Sequence, residues 1–279
     1  MRIGVMIFPT DRAMAPDDLA REVEARGFAS LYVPEHTHIP VDHSPYPAGG
    51  ELPDMYKRTL DPFVALSAAA AVTTQLRLGT GICLVAQHHP IDLAKQVASL
   101  DHLSGGRVDF GIGYGWDVPE TEHHGVAFAD RRAFVHESLS AMKALWTEDE
   151  ASYAGEHVSF APSYAWPKPV QDPYPPVLLG AALGPKAKAA LVAHCDGWMP
   201  IGGRGLKDAI PEVRAALEEA GRDPDAFLFH VYGSKPDVDQ VRHFGELGVQ
   251  QTSFWLPPAG RDEVIPALDA YARLAEAVA

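Results

Sequence analysis

The feature that most limits what this chain can fold into is an alternation. A short apolar or β-branched run is followed by a helical pattern, eight times over and without a break. The runs fall at 2–8, 30–34, 76–84, 107–112, 176–180, 197–201, 226–232 and 250–256. The helical patterns fall at 16–26, 61–74, 90–103, 130–146, 185–194, 206–220, 237–247 and 261–278. In the fourth pattern Val135, Leu139, Met142 and Trp146 recur on one face, and Asp130 stands where a side-chain cap is expected. The strand runs are almost continuously apolar, as a parallel sheet covered on both faces requires. Eight such βα units predict an α/β fold of the (β/α)8, or TIM-barrel, type. No linker or internal repeat divides the chain, so residues 1–279 are expected to form a single barrel domain.

Two long connections interrupt the alternation, one after strand 2 (35–60) and one before strand 5 (147–175). Both are rich in proline and aromatic residues, in a chain that carries 24 glycines and 24 prolines. Loops this long inside a compact domain usually serve a site, so both are candidate lids. Tyr46, Tyr56, Trp166 and Met6 hint at an apolar or aromatic ligand.

Charge and cysteine content narrow the partners. A formal net charge of −14 repels a polyphosphate backbone, so no nucleic-acid partner is expected. The apolar run 62–72 is too short to span a bilayer and the N-terminal run 1–8 too short for a signal peptide, so no membrane partner is expected either. Cys83 and Cys195 stand alone, with neither disulfide nor thiolate-metal spacing, and a reducing cytoplasm is the simplest location.

In a parallel barrel, chemistry gathers where strands end, and three such places carry signals. After strand 2 comes Pro34-Glu35-His36-Thr37-His38, a carboxylate beside an imidazole, suited to proton transfer near neutral pH. A metal reading of His36 and His38 needs further ligands at later strand ends. Those positions hold Gly180, Gly202 and Pro257, so no metal is expected. His88, His89, His123 and His124 read as surface or capping residues. After strand 4 comes Gly111-Ile112-Gly113-Tyr114-Gly115-Trp116. Its glycines suit either an anion nest or close packing of the backbone, and they match neither the dinucleotide fingerprint nor a nucleotide P-loop. After strand 5, Gly180-Ala181-Ala182 leads toward a helix start at Pro185, suited to a phosphate or simply to helix initiation.

The run from Leu93 to Trp116, centred on Asp101-His102-Leu103-Ser104-Gly105-Gly106-Arg107, resembles the bacterial luciferase-like monooxygenase superfamily, and within it the coenzyme F420-dependent oxidoreductase branch. Gly27 to His36, Asp61 to Leu66, Leu76 to Ile82 and Cys195 to Trp198 follow in family order. The resemblance implies a barrel that binds a flavin or deazaflavin at the C-terminal ends of its strands. The ring would lie against strand 3, at a bulge whose cis peptide falls at Gly81–Ile82. Phe8 and Pro9 would sit under the ring, and Gly111, Gly113, Tyr114, Gly115, Gly180, Ala181 and Ala182 would hold the phosphate. One departure argues against sugar-phosphate oxidation: Tyr114 stands where members with that activity carry a carboxylate.

The activity so implied is hydride transfer between coenzyme F420 and a small-molecule organic substrate. His36 would be the catalytic proton donor or acceptor, and Glu35 its orienting partner. Two alternatives stay open, an FMN-dependent monooxygenase fed by a separate reductase and a non-catalytic flavin-binding protein. The resemblance also implies a homodimer, and a reductase that supplies reduced flavin or F420.

Overall fold

Eight parallel positions close into a barrel in the computed structural model, which describes residues 1–278. In barrel order the strands are β1 (Arg2–Met6), β2 (Ser30–Val33), β3 (Arg77–Thr80) with β4 (Cys83–Leu84), β5 (Val108–Gly113), β8 (Val177–Leu179), β9 (Gly197–Trp198), β10 (Leu228–Ser234) and β11 (Gln251–Trp255). β11 returns to β1, where Val5 lies opposite both Leu31 of β2 and Phe254 of β11. The third barrel position is shared. β3 pairs with β2 and β5, then the chain breaks at Gly81–Ile82 and resumes as β4 on β5. The Gly81–Ile82 peptide is cis, where the resemblance placed it.

The strands are shorter than the apolar runs that announce them, because a run continues past the last ladder hydrogen bond into the buried strand end. Ile7 and Phe8 lie beyond β1 yet are buried. The helices follow the sequence more closely: α1 (Pro16–Ala25), α2 (Pro62–Ala70), α3 (Pro90–Ser104), α5 (Arg131–Thr147), α6 (Pro185–His194), α7 (Leu206–Glu219), α8 (Val238–Glu246) and α9 (Arg261–Val278). Val135, Leu139, Met142 and Trp146 form the buried face of α5. Asp130 does occupy the cap position, but its carboxylate makes no capping bond, because its backbone is already helical (φ −93°, ψ −8°) and cannot turn the side chain back. Asp61 and Asp237 do cap, accepting from Val64 N and Gln240 N at 2.8 Å each.

Short elements also lie in segments read as loops, among them a 3-10 turn at Val85–Gln87. Another 3-10 turn covers Asp54–Arg58, and a short helix, α4, covers Val118–His123. An antiparallel hairpin, β6 (Ala151–Ala154) and β7 (Ser159–Ser163), occupies part of the second long connection. Glu137 on α5 accepts the N–H groups of Glu156, His157 and Val158, which pins the hairpin turn to the outside of the barrel.

The barrel interior is filled in layers. Low in the barrel, Tyr32 donates to Asp109 at 2.6 Å, Asp109 pairs with Arg77, and Gln251 donates to Tyr32 and Ser30. Gly79 leaves room for the Tyr32 ring, which any Cβ there would strike. Met6, Tyr32, Leu178, Met199 and Tyr232 form an apolar plug, with Ile82 packed against it.

Candidate active-site cleft

A cleft of about 320 Å³ opens at the C-terminal ends of the strands, within the size range of small-molecule sites. Every barrel position contributes to it. Phe8 follows β1, Pro34, Glu35 and His36 follow β2, and Gly81, Ile82 and Leu84 come from the interrupted third position. Tyr114, Gly115 and Trp116 follow from the end of β5, and Gly180 follows β8. Ile201, Tyr232 and Trp255 complete the ring, while Tyr56, Arg131 and Arg132 reach in from outside it. One wall is aromatic: Phe8 lies 4.7 Å from Tyr56 and stacks on Trp255 at 5.9 Å, with the two ring planes within 8°. Tyr232 donates to the Gly81 carbonyl at 2.5 Å and so supports the bulge from below.

His36 is nearly buried at the edge of this cleft. Its Nδ1 donates to Glu120 on α4, 2.9 Å from Oε1 and 3.1 Å from Oε2. A carboxylate only accepts, so this bond puts a proton on Nδ1 and leaves Nε2 as the nitrogen that can exchange one with a ligand. Helix α4 is itself anchored by the first long connection. Ser44 N donates to Asp117 at 2.7 Å, and Ser44 Oγ accepts Val118 N at 2.9 Å, the capping service that Asp117 does not perform. That connection thus serves the cleft twice, through Tyr56 and through the seat of Glu120.

Glu35 is not the partner of His36. Adjacent residues in an extended segment point apart, and Glu35 turns away to accept Leu84 N at 2.6 Å and to bond His88 Nε2 at 2.8 Å. Burial by itself would raise the Glu35 carboxyl, but the bond and charge of His88, together with hydrogen bonds from Leu84 N and Cys83, hold the group below its ordinary value. Burial likewise opposes the charged form of His88, and Glu35 more than offsets it, raising that imidazole. The pair braces the end of β2 against β4, so His88 is a structural partner rather than a surface residue. Cys83 lies beside them, and the three side chains bring potential ligand atoms within 4.8 Å of one another. Both carboxylate oxygens already have partners.

The glycine-rich segments divide in two. A Cβ on Gly111 would overlap the Thr80 carbonyl, and one on Gly113 would overlap Ile82, so these glycines admit the neighbouring strand and lie outside the cleft lining. Gly115, at φ +72°, and Gly180 do face the cleft. Ala181 and Ala182 do not line it: Ala181 offers its carbonyl to Trp198 Nε1 at 2.8 Å, and Ala182 is exposed. Pro9 is buried next to Phe8, outside the lining, with its carbonyl accepting Leu60 N. Tyr114 bonds His136 Nε2 at 2.9 Å. Burial pushes the phenol up to about 12 and the imidazole down to about 4, so near neutral pH Tyr114 donates and His136 accepts.

Of the four residues that hinted at an apolar or aromatic ligand, only Tyr56 lines the cleft, with Tyr46 bonded to its hydroxyl at 3.1 Å. Met6 is sealed in the plug beneath the cleft, and Trp166 is 58% exposed beside Lys95 of α3. No residue of 147–175 lines the cleft, so the second connection is not a lid over it. Sequence reading missed Glu120, because a six-residue helix shows no period. Ile201, Tyr232 and Trp255 sit inside apolar runs, where residue type signals burial and not a place in the cleft.

The profile described as "Luciferase-like monooxygenase" matches residues 3–234. The chain belongs to the luciferase-like monooxygenase family. An uncharacterized protein of Mycobacterium tuberculosis is 44% identical to it over 270 residues, covering 94% of each chain. An F420-dependent glucose-6-phosphate dehydrogenase of Nakamurella multipartita is 28% identical over 254 residues, 88% of this chain and 69% of that one. Among solved structures, the monooxygenase RslO1 of Streptomyces bottropensis overlays with a TM-score of 0.79 at 22% identity, covering 98% of each chain, a likeness of fold. Among the described residues no helix is long and apolar enough to cross a membrane.

Proposed function

We propose that the chain is an oxidoreductase that moves a hydride between coenzyme F420 and a small organic substrate. The observation that carries this reading is His36, held by a buried carboxylate at the edge of an apolar, aromatic-walled cleft. Oxidation of an alcohol, or reduction of a carbonyl, needs one proton moved at the substrate oxygen as the hydride moves at carbon. His36 Nε2 is the group positioned to take or give it, and Glu120 balances the charge that results. The lining suits a flat aromatic ring system: Phe8 stacks on Trp255 in one wall, and Gly81, Ile82 and Tyr232 lie at the floor. When bound, the deazaflavin supplies the hydride-accepting carbon. Phe8, Ile82, Tyr232 and Trp255 exclude water from the reacting atoms, and Gly115 and Gly180 leave space for the polar tail.

The F420 assignment draws on the Nakamurella multipartita relative, and Tyr114, standing where sugar-phosphate-oxidising members carry a carboxylate, argues for a substrate other than a sugar phosphate. A second reading, a monooxygenase using reduced FMN from a partner reductase, has the family description and the Streptomyces bottropensis fold match in its favour. Titration of the chain with F420 and, separately, with FMN, followed by fluorescence, distinguishes them. Micromolar binding of F420 with FMN failing supports hydride transfer. The reverse, with oxygen consumed when reduced FMN is supplied, supports the monooxygenase.

A further inference from the structure

Two consecutive arginines at the start of α5 line the cleft and answer to no carboxylate. The chain carries 37 acidic residues against 23 basic ones, yet among the described residues neither Arg131 nor Arg132 enters an ion pair. Arg131 donates from Nη1 to the Phe128 carbonyl at 2.5 Å and rests its guanidinium 3.5 Å over the Phe128 ring. Its Nε is buried with no hydrogen-bond partner. Arg132 lies 4.2 Å over the ring of Tyr114, whose hydroxyl is occupied by His136.

A buried N–H without an acceptor and two neighbouring like charges both cost free energy in the unliganded chain. Burial, followed by the charge of Arg132, already makes Arg131 a weaker base than usual. One anion in the cleft would balance the two like charges, since a guanidinium presents paired donors to phosphate or carboxylate. We propose that Arg131 and Arg132 form an anion subsite of the cleft, taking a phosphate or carboxylate group of the bound ligand. The proposal rests on the cleft being a ligand site, whichever ring system occupies it. The anion has two sources, the tail of the cofactor or an acidic substrate.

The test compares wild type with Arg132→Gln, which keeps the helix-start bond made by Arg131. Arg131→Gln follows as a second variant, with thermal melting as the check on folding. Fluorescence titration sets F420 against its ring-and-ribityl portion without the phosphate tail, and FMN against riboflavin in parallel. Inorganic phosphate is titrated calorimetrically into the chain alone and into the ring-saturated chain. A cofactor source predicts that wild type prefers the phosphate-bearing member, and that the preference falls about tenfold or more in Arg132→Gln. A substrate source predicts no such preference, with phosphate binding in the ring-saturated chain that Arg132→Gln abolishes. If only the FMN pair shows these effects, the F420 reading fails and the subsite stands. Neither a tail preference nor phosphate binding that depends on Arg132 overturns the proposal.

Discussion

Glu120→Gln removes the charge that fixes the His36 imidazole while keeping the shape of the side chain. The two side chains are 7% and 1% exposed, so water cannot take over the bond. A hydrogen bond to an ionised partner contributes about 1.5–3 kcal/mol. Urea unfolding of wild type, Glu120→Gln, His36→Asn and the double variant should therefore give a coupling energy of about 1.5–3 kcal/mol. The same change should be visible in the ring. In wild type, ¹⁵N NMR should show the proton on His36 Nδ1. In Glu120→Gln, where the amide can accept or donate, both tautomers should be present. Once a substrate is in hand, kcat should fall about 100-fold or more, with cofactor affinity within twofold of wild type. Coupling below about 0.5 kcal/mol, together with an unprotonated Nδ1 in wild type, would refute the assignment of Glu120.

Three further outcomes follow from the packing. Gly111→Ala should destabilise by about 1–3 kcal/mol, because its Cβ meets a backbone carbonyl, and denaturant midpoints report it; a neutral result would return Gly111 to the phosphate site. For Glu35→Gln, the advantage of wild type should depend on pH. The lowered Glu35 carboxyl contributes above the ordinary carboxylate value of 4.5 and loses that contribution as pH falls through its folded value. The raised His88 contributes fully below 6.5 and loses its share as pH rises through its folded value. The advantage should thus be greatest between pH 4.5 and 6.5 in thermal melts across pH, and a flat difference would dismiss the brace. Trp166→Ala should leave cofactor affinity within twofold of wild type, whereas a loss of binding in a titration would bring the second connection back over the cleft.

The barrel was legible because its signals are long. Eight apolar runs and the face of α5 are set by burial, and burial is written directly in residue type. What stayed hidden was short or reached by contact across the chain. Helix α4 has six residues and owes its start to Ser44, 74 positions away, so its Glu120 could not be matched to His36 from spacing. Glu35 and His36 are neighbours in sequence, which suggested a pair, yet the extended backbone sends them to different partners. The glycines after strand 4 carry two needs in one motif. Gly111 and Gly113 are required by the neighbouring strand, and Gly115 by a left-handed turn at the cleft.

The most direct test of the central claim is a crystal structure of the chain grown with F420. The account predicts the deazaflavin ring in the cleft against Ile82, with the open face of its hydride-accepting carbon toward the space beside His36 Nε2. A ring bound outside this cleft, or one whose reactive carbon faces away from His36, would contradict it.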